Sequence, residues 1–538
     1  MKLSLESVKN EAAAWEKAGV KLPAFDVAAM RAQTKSAPEW VHFGAGNIFR
    51  GFIGSLNQCL LEQGLAKTGI IACDTFDYDV IDRIYTPFDN LTLNVLLNPD
   101  GTTSREILAG VAEGVKVNFA DKESSERLKA VFRSPSLKML SFTITEKGYQ
   151  LRRPDSSLMP VVEADIAEGP DSSRHAMSIV AALLLERYRA GGAPMAVVSM
   201  DNCSHNGERL KASVVFVAKA WRERGFVDDG FIAYVEDESK VSFPWSMIDK
   251  ITPRPHPAVE KTLADAGIEG MTPIVTSKKT FIAPFVNAER PQYLVIEDRF
   301  PNGRPPLEKV GVYMTDRETV NKTERMKVTT CLNPLHTALA VYGCLLGYRH
   351  IWQEMQDEEL KNLVNTIGYE EGLPVVTDPG IIKPKDFIDT VVKIRIPNPF
   401  MPDTPQRIAT DTSQKLSIRF GETIKAYLAS EELKVENLRL IPLVFAGWLR
   451  YLMAVDDEGN AFEPSPDPLL ADVQPYVANC RLGEKPDTEA LRPLLSNASI
   501  FGVNLYEAGL ADKVCAYFEE LTAGPGAVRT TLRKYTAA

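Results

Sequence analysis

Within KTERMKVTTCLNPLHTALAVYGCLLGY, residues 322–348, a lysine, an amide and an imidazole sit just before and inside an apolar run: Lys327, Asn333 and His336. These side chains can move protons and hold oxygens. A lysine, ordinarily with a pKa of about 10.4, becomes a general base when desolvation or a nearby cation lowers it. At a helix start in water the same residue is ordinary surface. The Asn333 amide could donate to a carbonyl or developing alkoxide. Placed before Pro334, it also reads as a helix cap with proline in the first turn. His336 follows three residues later on nearly the same helical face, as a substrate contact or a structural hydrogen-bonding residue.

A second polar group lies in SMDNCSHNGERL, which brings Asp201, Asn202, His205 and Asn206 to the end of an expected strand. Open α/β sheets bind ligands at such ends; an Asx-rich loop capping the next helix is the plainer reading. MIDKITPRPHP adds Asp249, Lys250 and Arg254. The chain has no GxSxG elbow, no GxxxxGK[ST] phosphate loop, no HExxH and no Cys/His cluster. A hydride transfer here is therefore expected to polarise its substrate without zinc, and no metal site is expected.

The elements that would position this chemistry begin at EWVHFGAGNIFRGFIGSLNQCLLEQGLAKTGIIACDTFD, which reads as strand, glycine turn, helix, strand and acidic end. Gly44 and Gly46 allow a tight turn and close approach of backbone N–H groups to a pyrophosphate at the next helix's N-terminus. Phe49 stands where a third glycine is usual. Asp74 ends the second strand 28 residues after Gly46, with Asp77 just beyond. A carboxylate there accepts ribose hydroxyls and repels a 2′-phosphate, so NAD is favoured over NADP.

At 538 residues the chain should form more than one domain. Apolar content of 45% and charged content of 25% are those of a globular protein, and the net charge of −10 argues against a nucleic-acid or anionic-membrane partner. The charged N-terminus does not read as a signal peptide. The apolar runs fall short of the roughly 18 residues of a membrane span. Seven scattered cysteines without a CxxC pair suggest reduced thiols and a cytoplasmic location. After a helical preface, strands alternate with helices. A proline-rich, irregular stretch over about 253–325 precedes long amphipathic helical patterns. The expected fold is α/β: a Rossmann-type dinucleotide-binding domain with a mostly parallel sheet over 1–320, and a mainly α-helical substrate domain over 321–538.

Six segments in order, HFGAGNIFR, FTITEKGY, MDNCSHNG, IDKITP, QYLVIEDRFPNGRPPLEKVGV and KVTTCLNPLHTALA, resemble the polyol-specific long-chain dehydrogenase/reductase family of mannitol dehydrogenases and uronate reductases. The resemblance runs from about residue 38 to the end. It implies a metal-independent, NAD(H)-dependent oxidoreductase in which Lys327 is the general acid/base, Asn202 and Asn333 donate to the reacting oxygen, and His336 orients the substrate. It also implies that Glu324 passes protons to solvent, that Asp249 lines the site, that Gly44, Gly46, Asn47 and Arg50 meet the diphosphate, and that Asp74 meets the ribose. Five residues separate Lys327 from Asn333 where polyol members have four. The "CLNPLH" variant and the length favour a uronate, fructuronate to mannonate, over tagaturonate or a neutral ketose or polyol. Lys250 and Arg254 are the nominated partners of its carboxylate. A non-catalytic NAD-binding redox sensor is the contrasting reading. The expected partner is the small sugar acid or polyol, with the chain a monomer or small homo-oligomer.

Overall fold

The computed structural model describes residues 1–537. Its backbone separates into one compact unit of Met1–Asn98 and Thr102–Asn321 and a second from Lys322 onward with Pro99–Gly101. The first unit is built on six strands, β1 (Trp40–Phe43), β2 (Ile70–Asp74), β3 (Val111–Lys116), β4 (Met139–Phe142), β5 (Met195–Ser199) and β6 (Val241–Ser242), lying side by side in the order β3-β2-β1-β4-β5-β6. Every pairing is parallel, giving the doubly wound dinucleotide-binding order.

The sequence dictates this because the strands are apolar on both faces. All residues of β1, β2, β4 and β5 are buried, as a sheet covered by helices on each side requires. Successive residues enter opposite cores: Val41, Ile71, Leu140 and Val197 pack with Leu183, Val214 and Trp221. Their neighbours Trp40, Ile70, Met139 and Ala196 pack with Phe52, Leu56 and Leu60. The covering helices are α1 (Gly54–Glu62), α2 (Ala176–Arg189) and α3 (Asn206–Glu223).

Of the three smaller sheets in the unit, two have three or more strands. Thr92–Leu97 pairs antiparallel with Thr103–Leu108 and parallel with Phe285–Glu289. Ser246–Asp249 pairs with Tyr293–Glu297, which pairs with Tyr313–Thr315. The proline-rich stretch thus supplies strands to both, and the helix Pro257–Asp265.

The second unit is helical. Its centre is α5 (Asn333–Leu345), which follows α4 (Arg317–Met326) and packs on α6 (Leu440–Leu452). Gly447 lets the two approach: a Cβ there would lie 2.7 Å from the Tyr342 ring, whose hydroxyl donates to Leu443 O at 2.7 Å. All thirteen residues of α6 are buried. Its first N–H groups are held by the Glu371 carboxylate, which accepts from Arg439, Leu440 and Ile441 at 2.7, 2.7 and 2.8 Å; an anion at a helix N-terminus meets both the orphan donors and the dipole. Among the described residues no helix is long and apolar enough to cross a membrane.

Candidate active site

At the end of β1 the chain turns through Gly44, whose φ of +103° and approach to Thr143 admit no side chain: a Cβ would lie 2.2 Å from Thr143 O. His42 holds Thr143 in place. Thr143 Oγ1 donates to Gly44 O at 3.1 Å, so the imidazole Nε2 donates to Thr143 at 2.8 Å. Ser141 Oγ accepts from the Trp40 indole at 2.7 Å and donates to His42 Nδ1 at 2.6 Å. Burial pushes this histidine down to about 3. Phe49, in place of a third glycine, stacks on its ring at 4.3 Å.

Gly46 faces open space, with nothing within 4 Å of a Cβ. Beside it the buried Asn47 Oδ1 has no hydrogen-bond partner. A buried acceptor left unmatched at an open glycine turn fits a donor on a ligand, such as a ribose hydroxyl. Asp74, at the end of β2, accepts from Phe76 N and Asp77 N at 2.9 and 2.7 Å through Oδ1 and from Ala45 N at 3.4 Å through Oδ2. Burial raises its pKa and these backbone donors oppose the rise. Gly44, Gly46, Asn47 and Asp74 thus share one corner of the unit, with acceptor capacity left on Asp74 Oδ2, an arrangement that can take a diphosphate and a ribose.

Arg50 does not join them. It is 1% exposed, and its guanidinium donates to Ala283 O and Pro284 O, each at 2.8 Å, and to Thr92 Oγ1 at 3.2 Å. The expected diphosphate contact is corrected to an internal brace: the residue falls on the inward face of the turn of helix over Phe49–Ile53.

Asn202 is exposed on the loop after β5, which two buried neighbours fix. Asp201 accepts from Ile144 N, Thr145 N and the Tyr149 hydroxyl at 2.9, 2.8 and 2.5 Å. Asn206 Nδ2 donates to Asp201 O and Ser246 O, each at 3.0 Å. Asn206 is therefore the first residue of α3 and a loop brace, while His205 (φ 53°) stands at the cap and lies against Trp245. Thr145 has φ 68° and ψ 160°, a strained conformation for a β-branched residue, held by Asp201 at the ligand-binding edge of the sheet. Neither Asp201 nor Thr145 was distinguishable from sequence as a positioning residue. Asp249 is 7% exposed at the end of its strand. The Lys250 ammonium donates to Glu289 O and Gln292 Oε1. Arg254 is exposed, and its carbonyl accepts from Asn287.

The second unit carries the remaining candidates on one continuous segment. Half-buried Glu324 lies one turn before Lys327, which is 4% exposed and so is not the surface lysine of the plainer reading. Lys327 opens a π-helical turn, Lys327–Cys331, in which its carbonyl accepts from Leu332 N, five residues on, at 3.1 Å. An α-helix would have closed the same bond with four, so the turn absorbs the additional residue between Lys327 and Asn333 without unwinding the approach to α5. Leu332 (φ −133°, ψ −60°) stands at the cap, and Asn333 is the first residue of α5, which corrects its expected cap role. His336 is half-buried and borders a cavity of about 10 Å³ with Trp352, Arg395 and Asp403. Burial pushes its pKa down to about 4; Asp403 opposes this, while Arg419, Arg395 and Arg407 add to it. The imidazole is thus neutral near pH 7, able to donate from one nitrogen and accept at the other.

Arg419 was missed by sequence reasoning. Its Nη1 donates to Thr337 Oγ1 at 2.5 Å, and Thr337 Oγ1 donates to Asn333 O at 3.0 Å. No local pattern signals an arginine 82 residues away from its partner. Among the described residues no group of three or more His, Cys, Asp or Glu side chains is placed to hold a metal ion.

Residues 38–309 match the mannitol dehydrogenase Rossmann domain and residues 319–522 the mannitol dehydrogenase C-terminal domain. The D-mannonate oxidoreductase of Thermotoga maritima is 53% identical over 99% of both chains. The structure of Pseudomonas fluorescens mannitol 2-dehydrogenase in a ternary complex with NAD and D-mannitol superposes with a TM-score of 0.68 at 26% identity, covering 99% of each chain. A D-sorbitol dehydrogenase in substrate-free form shares the fold, with a TM-score of 0.76 at 24% identity over 96% of this chain and 97% of that one. With both family domains matched in order and a relative similar along its whole length, the chain belongs to the mannitol dehydrogenase family.

Proposed function

We propose that the chain is an NAD(H)-dependent oxidoreductase that interconverts D-mannonate and D-fructuronate. The observation that carries this reading is the 53% identity to a D-mannonate oxidoreductase over 99% of both chains. Bound NAD⁺ supplies the hydride acceptor, and NADH the donor in the reverse direction. Gly44, Gly46, Asn47 and Asp74 are the residues proposed to hold it, supported by the open turn, the unmatched Asn47 Oδ1 and the carboxylate at the strand end.

In oxidation Lys327 takes the proton of the alcohol as its carbon gives up hydride; in reduction it returns that proton to the carbonyl oxygen. Burial keeps this amine apart from bulk water, and Glu324, one turn earlier, passes the proton onward. Asn333 and Asn202 donate to the reacting oxygen, stabilising charge that develops there. Asp249 lines the site, and neutral His336 orients a substrate hydroxyl. A cytoplasmic location belongs to the same reading and is supported by seven cysteines present as free thiols.

The test is NADH consumption with D-fructuronate, D-tagaturonate and D-fructose. The highest kcat/KM is expected with D-fructuronate. A preference for either other sugar would overturn the substrate, and NADH binding without turnover of any of them would favour a redox sensor.

A further inference from the structure

The segment that carries His336 lies among several charged groups of the second unit. Arg395, Arg407 and Arg419 all act on the imidazole, against Asp403 alone. Lys415 feels Arg419 and Arg407 as repulsive neighbours, with Asp411 and Asp467 as its counter-charges. Four of these charged groups have partners nearby. Asp403 pairs with Arg407. Asp467 accepts from Ser413 and Leu469 N. The Lys415 ammonium donates to Thr410 O.

Arg419 differs. It is half-buried on the π-helical turn Ser417–Gly421. Among the described residues it pairs with no carboxylate, and Thr337 Oγ1 is its hydrogen-bond partner. Burial lowers its pKa to about 10 with no anion opposing the shift. A guanidinium offers five N–H donors in a planar fork, and one bond to a hydroxyl leaves most of that fork unused. Removing a cation from water without a counter-charge is costly, and an anion that docks there recovers the cost. Through Thr337 the guanidinium is tied to the first turn of α5, the turn that carries Asn333 and His336.

We propose that Arg419 is the residue that reads the substrate's carboxylate, so that it selects a sugar acid over the corresponding neutral ketose or polyol. This rests on the reading of the chain as a mannonate oxidoreductase and assigns that specificity to one side chain. Arg419 takes the place of Lys250 and Arg254 in this role. A planar, paired-donor contact suits a carboxylate better than the single point charge of a lysine.

The test compares wild type with Arg419→Met, which keeps the apolar stem, and Arg419→Lys, which keeps the charge. NADH-dependent reduction of D-fructuronate and D-fructose is measured for each, with NADH affinity as the control for folding. Arg419→Met should lose roughly 10- to 100-fold in kcat/KM for D-fructuronate, mainly through KM. Its loss on D-fructose should be at least about tenfold smaller, and Arg419→Lys should recover part of the loss on D-fructuronate. A wild-type ratio of uronate to ketose activity in Arg419→Met would overturn the proposal and leave the mannonate oxidoreductase reading standing. A wild-type enzyme that reduces D-fructose but not D-fructuronate would remove that reading, and this assignment with it. Equal losses on both substrates, with no recovery in Arg419→Lys, would make Arg419 a support for the Thr337 turn only.

Discussion

The two glycines of the first turn predict opposite phenotypes for the same substitution. In Gly44→Ala the new Cβ meets backbone, 2.2 Å from Thr143 O and 2.7 Å from Thr143 C, at a φ of +103°. A side chain at such a φ costs about 1–3 kcal/mol. Parting the two segments also gives up the Thr143–Gly44 and His42–Thr143 hydrogen bonds, at about 0.5–1.5 kcal/mol each. The sum, roughly 2–6 kcal/mol, is a large share of the stability of about 5–15 kcal/mol usual for a folded domain. In Gly46→Ala the Cβ meets nothing within 4 Å, so stability should stay within about 0.5 kcal/mol of wild type. The methyl group then occupies the space a diphosphate needs, and NADH affinity should fall at least about tenfold, or about 1.4 kcal/mol. Urea unfolding and NADH fluorescence titration on the same preparations read both quantities. Wild-type NADH affinity in Gly46→Ala would refute the placement of the cofactor, and a Gly44→Ala protein within about 1 kcal/mol of wild type would refute the steric reasoning.

Two further expectations concern buried titratable groups. Burial lowers His42 to about 3 and His336 to about 4. The unfolded chain therefore takes up protons below its ordinary histidine value of about 6.5 while the folded chain does not. The histidines' contribution to stability should fall as pH drops from about 6.5 toward 4, by up to about 1.4 kcal/mol per pH unit for each; a stability difference between wild type and His336→Gln that is the same at pH values of about 7 and 5 would contradict this for His336. Glu354 is buried with both carboxyl oxygens unpartnered, and burial, with Asp357 adding, holds its pKa well above the carboxylate range. A raised acid stabilises the fold below its unfolded value and loses that contribution as pH rises. Glu354→Met should then raise stability at neutral pH by about 1–3 kcal/mol in urea unfolding, and a clear loss there would show that the carboxyl is needed.

What the sequence made legible follows from which constraints are local. β1, β2, β4 and β5 could be read because a strand buried on both faces must be apolar throughout, and WVHF, IIACD, MLSF and MAVVS are so apart from His42, Asp74 and a few small polar residues. Gly44 could be read because a positive φ calls for glycine. Phe49 could not, since its fitness depends on stacking with His42. An arginine after a glycine turn looks like a phosphate ligand; only the helical register turns Arg50 toward carbonyls more than two hundred residues away. The π-helical turn at Lys327 is a matter of which N–H meets which carbonyl, and no residue type encodes it. Arg419 owes its role to a fold that brings it to Thr337, so it carried no signal in its own neighbourhood.

The central claim is that Lys327 performs the proton transfer of a hydride-transfer reaction. The direct measurement is the turnover of Lys327→Ala with D-fructuronate beside its NADH dissociation constant. The loss expected is about 10²–10⁴-fold in kcat, with NADH affinity unchanged because the residues proposed to hold the cofactor, Gly44, Gly46, Asn47 and Asp74, are left intact. Turnover like that of wild type would make Lys327 a spectator and contradict the account.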